Sequence, residues 1–387
     1  MIIKKAYKFR IKTTPDLAEK FLRFAGHCRF VWNKVLEINR QRLKDGHLIM
    51  RYYEADFWSK MWKKSEEYGF LAECPAHLLQ QKLKDLDKAY RDAFDKNQPN
   101  KRLPRRRKRM QHDSFRFPEP KQFELEGNRI KLPKIGWVRF FKSQKIEGAL
   151  KNATILRRGE HWELSIQVEQ ERPSLQHTST TEIGIDVGIA QFAAGSNEET
   201  IAPIHIYRQL EKKLARYQRK LRKKTKFSSN WKKQVARIRI LHRKVADTRL
   251  DFLHQCSTRL SKNHAMIVVE NLTVKNMSRS AKGTIEAPGR NVKAKSGLNK
   301  SILDQGWGEF KRQLSYKVNW LGGIFLEVSP RNTSLGCSCC GHIAKENRVN
   351  QAIFCCIACG HTENADINAA KNILAAGHAV LACGASA

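Results

Sequence analysis

The sequence predicts an α+β protein of several domains: a small β-barrel with a helical unit inserted between its strands, followed by an α/β region carrying a zinc ribbon. Three observations carry this expectation. Residues 16–97 keep a helical period, whereas 3–12 and 115–172 alternate with the period of two that strands require. Two apolar segments, 183–193 and 266–272, are separated by long helical stretches, the texture of an α/β unit. Near the C-terminus, Cys337-x2-Cys340 and Cys356-x2-Cys359 stand fifteen residues apart, which is zinc-ribbon spacing. A chain of 387 residues has room for two or three domains.

In chain order, Tyr7, Phe9 and Ile11 alternate with Lys8, Arg10 and Lys12, a half-buried strand with a basic outer face. Thr14-Pro15-Asp16 then supplies an N-cap, a first-turn proline and a first-turn acid. Leu17, Phe21, Phe24, Cys28, Val31, Val35 and Ile38 follow at spacings of four and three, an amphipathic helix. Its aromatic residues Phe21, Phe24, Phe30 and Trp32 fit a core better than a base-stacking platform. Helix continues over 50–97, where Leu78, Leu79, Leu83, Leu86, Ala89, Tyr90 and Phe94 mark a second long apolar face. Short alternating segments from 115 to 168, with turns at Gly127 and Gly159, read as antiparallel strands joined by the first strand. Residues 173–181 read as a polar linker. Residues 208–260 read as a pair of helices whose apolar spots are hemmed by Lys and Arg. The Gly-, Ser- and Lys-rich stretch 278–300 is too long for a simple connection and suggests a flap. A helix with Trp307, Phe310, Leu314, Val318 and Leu321 inward, then a strand over 324–328, lead to the ribbon, and nothing is legible in the small apolar tail.

Charge narrows the function. Lys and Arg number 73 against 37 Asp and Glu, a net +36, and a polyanion is the physical partner because neutralised phosphates release condensed counterions. No run of eighteen apolar residues and no signal-peptide core is present, so a membrane is not expected, and the clustered CxxC pairs suit a reducing cytosol. The basic run 101–109, containing Arg105, Arg106, Arg107 and Lys108, is expected to touch phosphates rather than only solvent. Arg219, Arg222, Lys223, Lys232 and Lys233 on the later helices form a stripe that tracks a nucleic-acid backbone by charge, not by sequence.

Four thiolates on two tight turns close a tetrahedral shell around one Zn²⁺ and leave no open position, so the ribbon staples the fold. Cys337, Cys340, Cys356 and Cys359 are the expected ligands because each pair is followed by a glycine, with Cys339 and Cys355 as spare neighbours. Three carboxylates stand apart. Asp186 sits in the middle of an apolar strand, Glu270 ends another, and Asp366 opens a helix capped by Asn364. Singly, Asp186 also fits a turn beside two glycines, and Asp366 a favourable charge in a first helical turn. Together they make a cage of hard oxygen ligands for Mg²⁺ or Mn²⁺, and two such ions about 4 Å apart promote phosphodiester hydrolysis.

The segments GIDVGI, IVVENL and NADINAAKNIL after the four cysteines resemble the TnpB family, nucleases encoded by bacterial insertion sequences. The resemblance extends to AYKFRIKTTPDLAEKFLRFAGHCRFVWN and to the DQGWGEFKRQLSYK helix at 304–317, and so covers nearly the whole chain. It implies an RNase H-like, RuvC-like nuclease domain with Asp186, Glu270 and Asp366 as its acidic triad, and the four cysteines as a zinc-binding insertion. It implies a guide RNA from the end of the element, a double-stranded DNA target cut beside a short target-adjacent motif, and kinship with type V CRISPR effectors. The corresponding division is a wedge-like β-barrel at 1–14 and 115–172, a helical recognition domain at 15–114, the nuclease at 181–332 and 361–376, the ribbon at 333–360 and a tail at 377–387. One protein per RNA is expected, in the bacterial cytoplasm at the nucleoid. An unguided transposase or recombination nuclease, or a non-catalytic RNA-guided repressor, are the alternatives; the intact triad argues against the last.

Overall fold

Strand β1 (Ile2–Arg10) buries Ile3, Tyr7 and Phe9 and exposes Lys4, Lys8 and Arg10, as its alternation requires. The computed structural model describes residues 2–109, 113–171 and 176–384. The chain divides into two units, Met1–Arg172 and Pro173–Ala387. The expected linker at 173–181 therefore lies partly outside the described residues.

In the first unit, helix α1 (Pro15–Lys44) starts where Thr14 Oγ1 accepts the N–H of Leu17, with Asp16 in the first turn and Arg42 and Lys44 in the last. Its Phe21 and Phe24 meet Phe115 edge-on at 5.7 and 5.9 Å, and Phe21 meets Trp162 at 5.1 Å, so the aromatic stripe is core. The helix expected over 50–97 is divided into α2 (Tyr52–Lys64), a short 3-10 turn (Gly69–Glu73) and α3 (Ala76–Phe94). Pro75 forces the last break, because a proline pushes the residue before it out of the helical region. Strands β2 (Ser114–Phe117), β3 (Glu124–Glu126), β4 (Arg129–Leu132), β5 (Gly136–Arg139), β6 (Ala149–Arg158) and β7 (His161–Glu171) follow. They form a four-stranded antiparallel sheet in the order β1-β7-β6-β2 and a three-stranded sheet β3-β4-β5. A bridge between Ile11 and Phe140 links the two. Helices α1–α3 thus fall, in sequence, between two strands of one sheet. Strand β6 has no clean alternation because a register shift between Leu150 and Asn152 breaks its phase.

The second unit has a five-stranded sheet, β10-β9-β8-β11-β12, made of β8 (Glu182–Asp186), β9 (Ala193–Gly195), β10 (Thr200–Ile201), β11 (Met266–Glu270) and β12 (Ile324–Val328). Strands β8, β11 and β12 are parallel, and the near-continuous apolar runs of β8 and β11 reflect burial on both faces. Between β10 and β11 lie α4 (Ile206–Arg222) and α5 (Ser229–Asn263). Between β11 and β12 come α6 (Val274–Met277), α7 (Val292–Gln305) and α8 (Trp307–Trp320). After β12 come β13 (Ile353–Cys355), β14 (Thr362–Asn364) and α9 (Ala365–Ala382). One sheet face, with Ile183, Ile185, Ile267 and Val269, packs on Leu253, Leu260, Trp307, Phe310 and Leu314. The other, with Met266, Val268, Leu326 and Val328, packs on Ile373 of α9.

Several expectations need correction. Asp186 is the last residue of β8, not its middle. The stretch 278–300 is irregular only to Asn291, because α7 begins at Val292. The run DQGWGEFKRQLSYK is not one helix: Gly306, at φ +75°, separates α7 from α8. The supposed tail is helical to Ala382, and its Gly377 lies so close to Val268 that a Cβ there would approach within 2.5 Å. Residues 385–387 lie outside the described residues.

Candidate active site and metal centre

Asp186 and Glu270 end adjacent parallel strands, and the register pairing Val269 with Ile185 sets the two carboxylates side by side. The carboxyl edge of an open α/β sheet is where such folds place their chemistry. Asp366 reaches the same edge from the first turn of α9, where Asn364 Oδ1 accepts the N–H groups of Asp366 (2.9 Å) and Ile367 (3.3 Å). Close approach of α9 depends on Gly184, two residues before Asp186. A Cβ at Gly184 would stand 2.2 Å from the carbonyl oxygen of Ala370 and 2.6 Å from the amide nitrogen of Leu374. Ala365, Ala369 and Ala370 keep the facing side of the helix small and buried.

The electrostatics follow from this crowding. Burial, then the charges of Glu270 and Asp366, push the Asp186 carboxyl up to about 7. Burial also raises Glu270, against a hydrogen bond from the Thr333 hydroxyl. Burial raises Asp366, opposed by the Arg348 guanidinium 3.7 Å away. Among the described residues neither Asp186 nor Glu270 has an ion-pair partner. Three carboxylates thus share one guanidinium, an imbalance suited to hard cations with oxygen ligands. Arg348 and Thr333 were not legible in the sequence: one lies in the ribbon loop and the other just after β12, with no motif around either.

The ribbon brings Cys337, Cys340, Cys356 and Cys359 together, with all four sulfurs within 4.8 Å of one another. The Cys337–Cys359 and Cys340–Cys356 Sγ separations are 3.7 and 3.6 Å. A tetrahedral ion with bonds of about 2.3 Å requires sulfurs about 3.8 Å apart, so the four fit a metal such as zinc. The backbone N–H groups of Cys359 and Ala358 bring the Cys356 thiol down to about 6, toward the thiolate a metal needs. Gly341 and Gly360, at φ +75° and +73°, close the two knuckles through N–H bonds of 2.9 Å to Cys337 O and Cys356 O. Cys339 is exposed and Cys355 accepts from the Thr362 hydroxyl; neither joins the four.

Helix α9 fastens the ribbon to the carboxylates. Asn368 Oδ1 accepts the Ser338 N–H at 2.9 Å, and its Nδ2 donates to Gly336 O at 2.8 Å. Asn372 donates to Thr333 O and Gly336 O at 3.0 and 2.8 Å. Asn364, Asn368 and Asn372 recur every four residues, so one helix face holds the cap of Asp366 and the entry to the first knuckle. The repeat is visible in NADINAAKN, but nothing in it says what the amides would bind.

Of the basic candidates, Arg105, Arg106 and Lys108 are exposed, whereas the Arg107 guanidinium lies 3.7 Å over the Trp32 ring. Its neighbours are tied down as well: Trp32 Nε1 donates to Arg105 O, and Asn33 exchanges two bonds with the Arg107 backbone. Arg107 is therefore a packing residue first. Arg219, Arg222, Lys223, Lys232 and Lys233 are all exposed near the turn between α4 and α5.

Comparison with known proteins gives a consistent picture. Residues 165–281 match a family model described as "Probable transposase" of the IS605 OrfB type, 307–373 a Cas12f1-like TNB domain, and 1–47 the helix-turn-helix domain of the same OrfB group. The last description does not fit what is seen, which is a strand followed by a single helix. The chain is 47% identical over 379 residues to the Escherichia coli (strain K12) protein named "Putative RNA-guided DNA endonuclease InsQ", covering 98% of this chain and 94% of that one. It is 30% identical to a similarly named Streptomyces pristinaespiralis protein, over 99% of this chain and 91% of the relative. In fold it is similar to the protein in a Cas12f1–sgRNA–target DNA complex, with a TM-score of 0.59, 16% identity, and coverage of 96% and 98% of the two chains.

Proposed function

The chain belongs to the TnpB family of IS605-type insertion sequences, and from that premise we propose that it is an RNA-guided DNA endonuclease of a transposable element. Base pairing with the guide reads the target, while the protein holds the duplex by its backbone and recognises a short motif beside it. Its charge of +36 supports two polyanionic partners, a guide RNA and double-stranded DNA. The second unit is the RuvC-like, RNase H-like nuclease, and the strands of the first unit form the wedge barrel around which the helices at 15–114 are inserted. One protein per RNA, acting at the nucleoid, completes the reading.

Asp186, Glu270 and Asp366 are the catalytic carboxylates in this proposal. Bound there, Mg²⁺ or Mn²⁺ supplies an activated water and stabilises the leaving oxygen of the phosphodiester. The chain's own residues prepare that site. Asp186 and Glu270 hold negative charge at a rigid strand edge, Thr333 orients Glu270, and Arg348 balances Asp366. The four cysteines hold one Zn²⁺ that is structural, since a closed thiolate shell has no place for substrate. Arg105, Arg106, Lys108 and the exposed cations of α4 and α5 contact phosphates. The observation that carries the reading is the convergence of the three acids at one sheet edge, two from strand ends and the third from a helix that also anchors the ribbon. Sequencing the RNA that co-purifies with the protein, expressed with its native flanking DNA, tests it. One dominant RNA ending just outside the element is expected; a random mixture of host RNA would leave an unguided nuclease.

A further inference from the structure

The outer face of the three-stranded sheet in the first unit carries a feature that the proposed nuclease site does not use. Trp137 on β5 is 43% exposed. The Arg129 guanidinium lies 4.6 Å from its ring centroid, and Lys131 Nζ lies at 5.9 Å. Beside the indole opens a cavity of about 460 Å³, lined among others by Lys12, Asp16, Lys20 and Arg139. That volume falls in the roughly 300–1,000 Å³ range of small-ligand sites. Its walls are fixed to one another: Lys12 N donates to Arg139 O at 2.9 Å, and Phe141 N donates to Arg10 O at 2.8 Å. Thr14 caps α1 at the rim.

Charge says what the cavity takes. Lys12, Lys20 and Arg139 are exposed and form no ion pair among the described residues, whereas Arg129 and Lys131 are matched by Glu126 and Glu124. Three unmatched cations around one large aromatic face suit a phosphate backbone with a base laid on the ring. Asp16, the one carboxylate on the lining among the described residues, would repel a phosphate but accepts a hydrogen bond from a base amino or imino group. Duplex DNA keeps its base faces stacked, and exposing one costs a few kcal/mol. Unpaired RNA loops offer base faces freely and are bound by stacking on aromatic side chains.

We propose that Trp137, with Lys12, Lys20 and Arg139, binds an unpaired nucleotide of the guide RNA, its base stacked on the indole. This rests on the RNA-guided reading. The test uses the full chain and the RNA transcribed from the element end, in equilibrium binding with excess unrelated structured RNA and with chemical probing of the bound RNA. Losing one stacked base weakens binding roughly 5- to 150-fold. Trp137→Ala is expected to show a loss in that range and to expose one loop nucleotide protected in the wild type. Trp137→Phe is expected to restore both, and Lys12→Ala with Arg139→Ala to weaken binding without Trp137 being touched. Unchanged affinity and probing in Trp137→Ala would overturn the proposal. So would a defect confined to DNA capture by the preformed ribonucleoprotein, which would make the occupant DNA. Failure of the wild type itself to prefer the element RNA would instead remove the guided reading, whatever Trp137 does.

Discussion

Replacing Asp186 with Asn is expected to stabilise the magnesium-free protein while abolishing cleavage. The Asp186 carboxyl is raised from 3.8 to about 7, first by burial and then by Glu270 and Asp366. Each pKa unit corresponds to about 1.4 kcal/mol, so keeping this residue ionised costs the folded state up to about 4 kcal/mol. The sign is fixed by proton counting. Between pH 4 and 7, as an approximate window, folded Asp186 retains a proton that the unfolded chain has lost. Stability therefore falls as pH rises through that window, and the penalty is fully present above about pH 7 and absent below about pH 4. Asn keeps the shape without the charge. The assay is thermal melting of both proteins from pH 4 to 8 in magnesium-free buffer with zinc retained, repeated with added Mg²⁺. The variant is expected to melt several degrees higher at pH 8 and together with the wild type at pH 4. Mg²⁺ is expected to raise the wild type more, since a ligand stabilises only the form that binds it. Cleavage is expected to fall by roughly 10²–10³-fold or more. A variant that is no more stable at pH 8, or a difference independent of pH, would refute the clustering of charge on which the reasoning depends.

Gly184→Ala drives a methyl group into the backbone of α9, so a loss of about 1–3 kcal/mol or more is expected, with cleavage falling because Asp366 is displaced; urea melts and a plasmid-nicking assay check it. Asn368→Ala leaves the Ser338 N–H without its partner and the Gly336 carbonyl with Asn372 as its remaining amide donor, and is expected to cost about 1–3 kcal/mol and to speed hydrogen exchange in the ribbon ahead of the sheet. Elemental analysis is expected to find one zinc per chain, lost in Cys340→Ser and kept in Cys339→Ser; retention in the former would overturn the ligand set. Lys232→Ala with Lys233→Ala is expected to lower the slope of log affinity against log salt by about two, measured by filter binding on duplex DNA, with no change of sequence preference.

Elements with a strong local signal were legible in the sequence. The Thr14-Pro15 cap, the heptad-like face of α1 and the two CxxC knuckles each depend on neighbours in the chain, and each has the expected structure. The carboxylates were found as odd charges in apolar surroundings, but their relation to one another was not, because it depends on strand order. Position within β8 was misread: the apolar run continues through Val187 after the strand has ended, so hydrophobicity alone could not mark the edge. Gly184 was visible only as a glycine beside Asp186, and its reason is the approach of α9, nearly two hundred residues later. Asn368 and Asn372 act through main-chain partners, which no residue pattern specifies. Arg107 looked like its neighbours in a basic run, and only the fold shows that its guanidinium lies on Trp32.

The most direct test of the account is plasmid cleavage by the purified ribonucleoprotein after its guide segment has been rewritten. The account predicts that the cut moves to the newly matched site, requires Mg²⁺ or Mn²⁺, and disappears in Asp186→Ala, Glu270→Ala and Asp366→Ala while DNA binding persists. Cleavage that ignores the guide, or that survives loss of all three carboxylates, would contradict it.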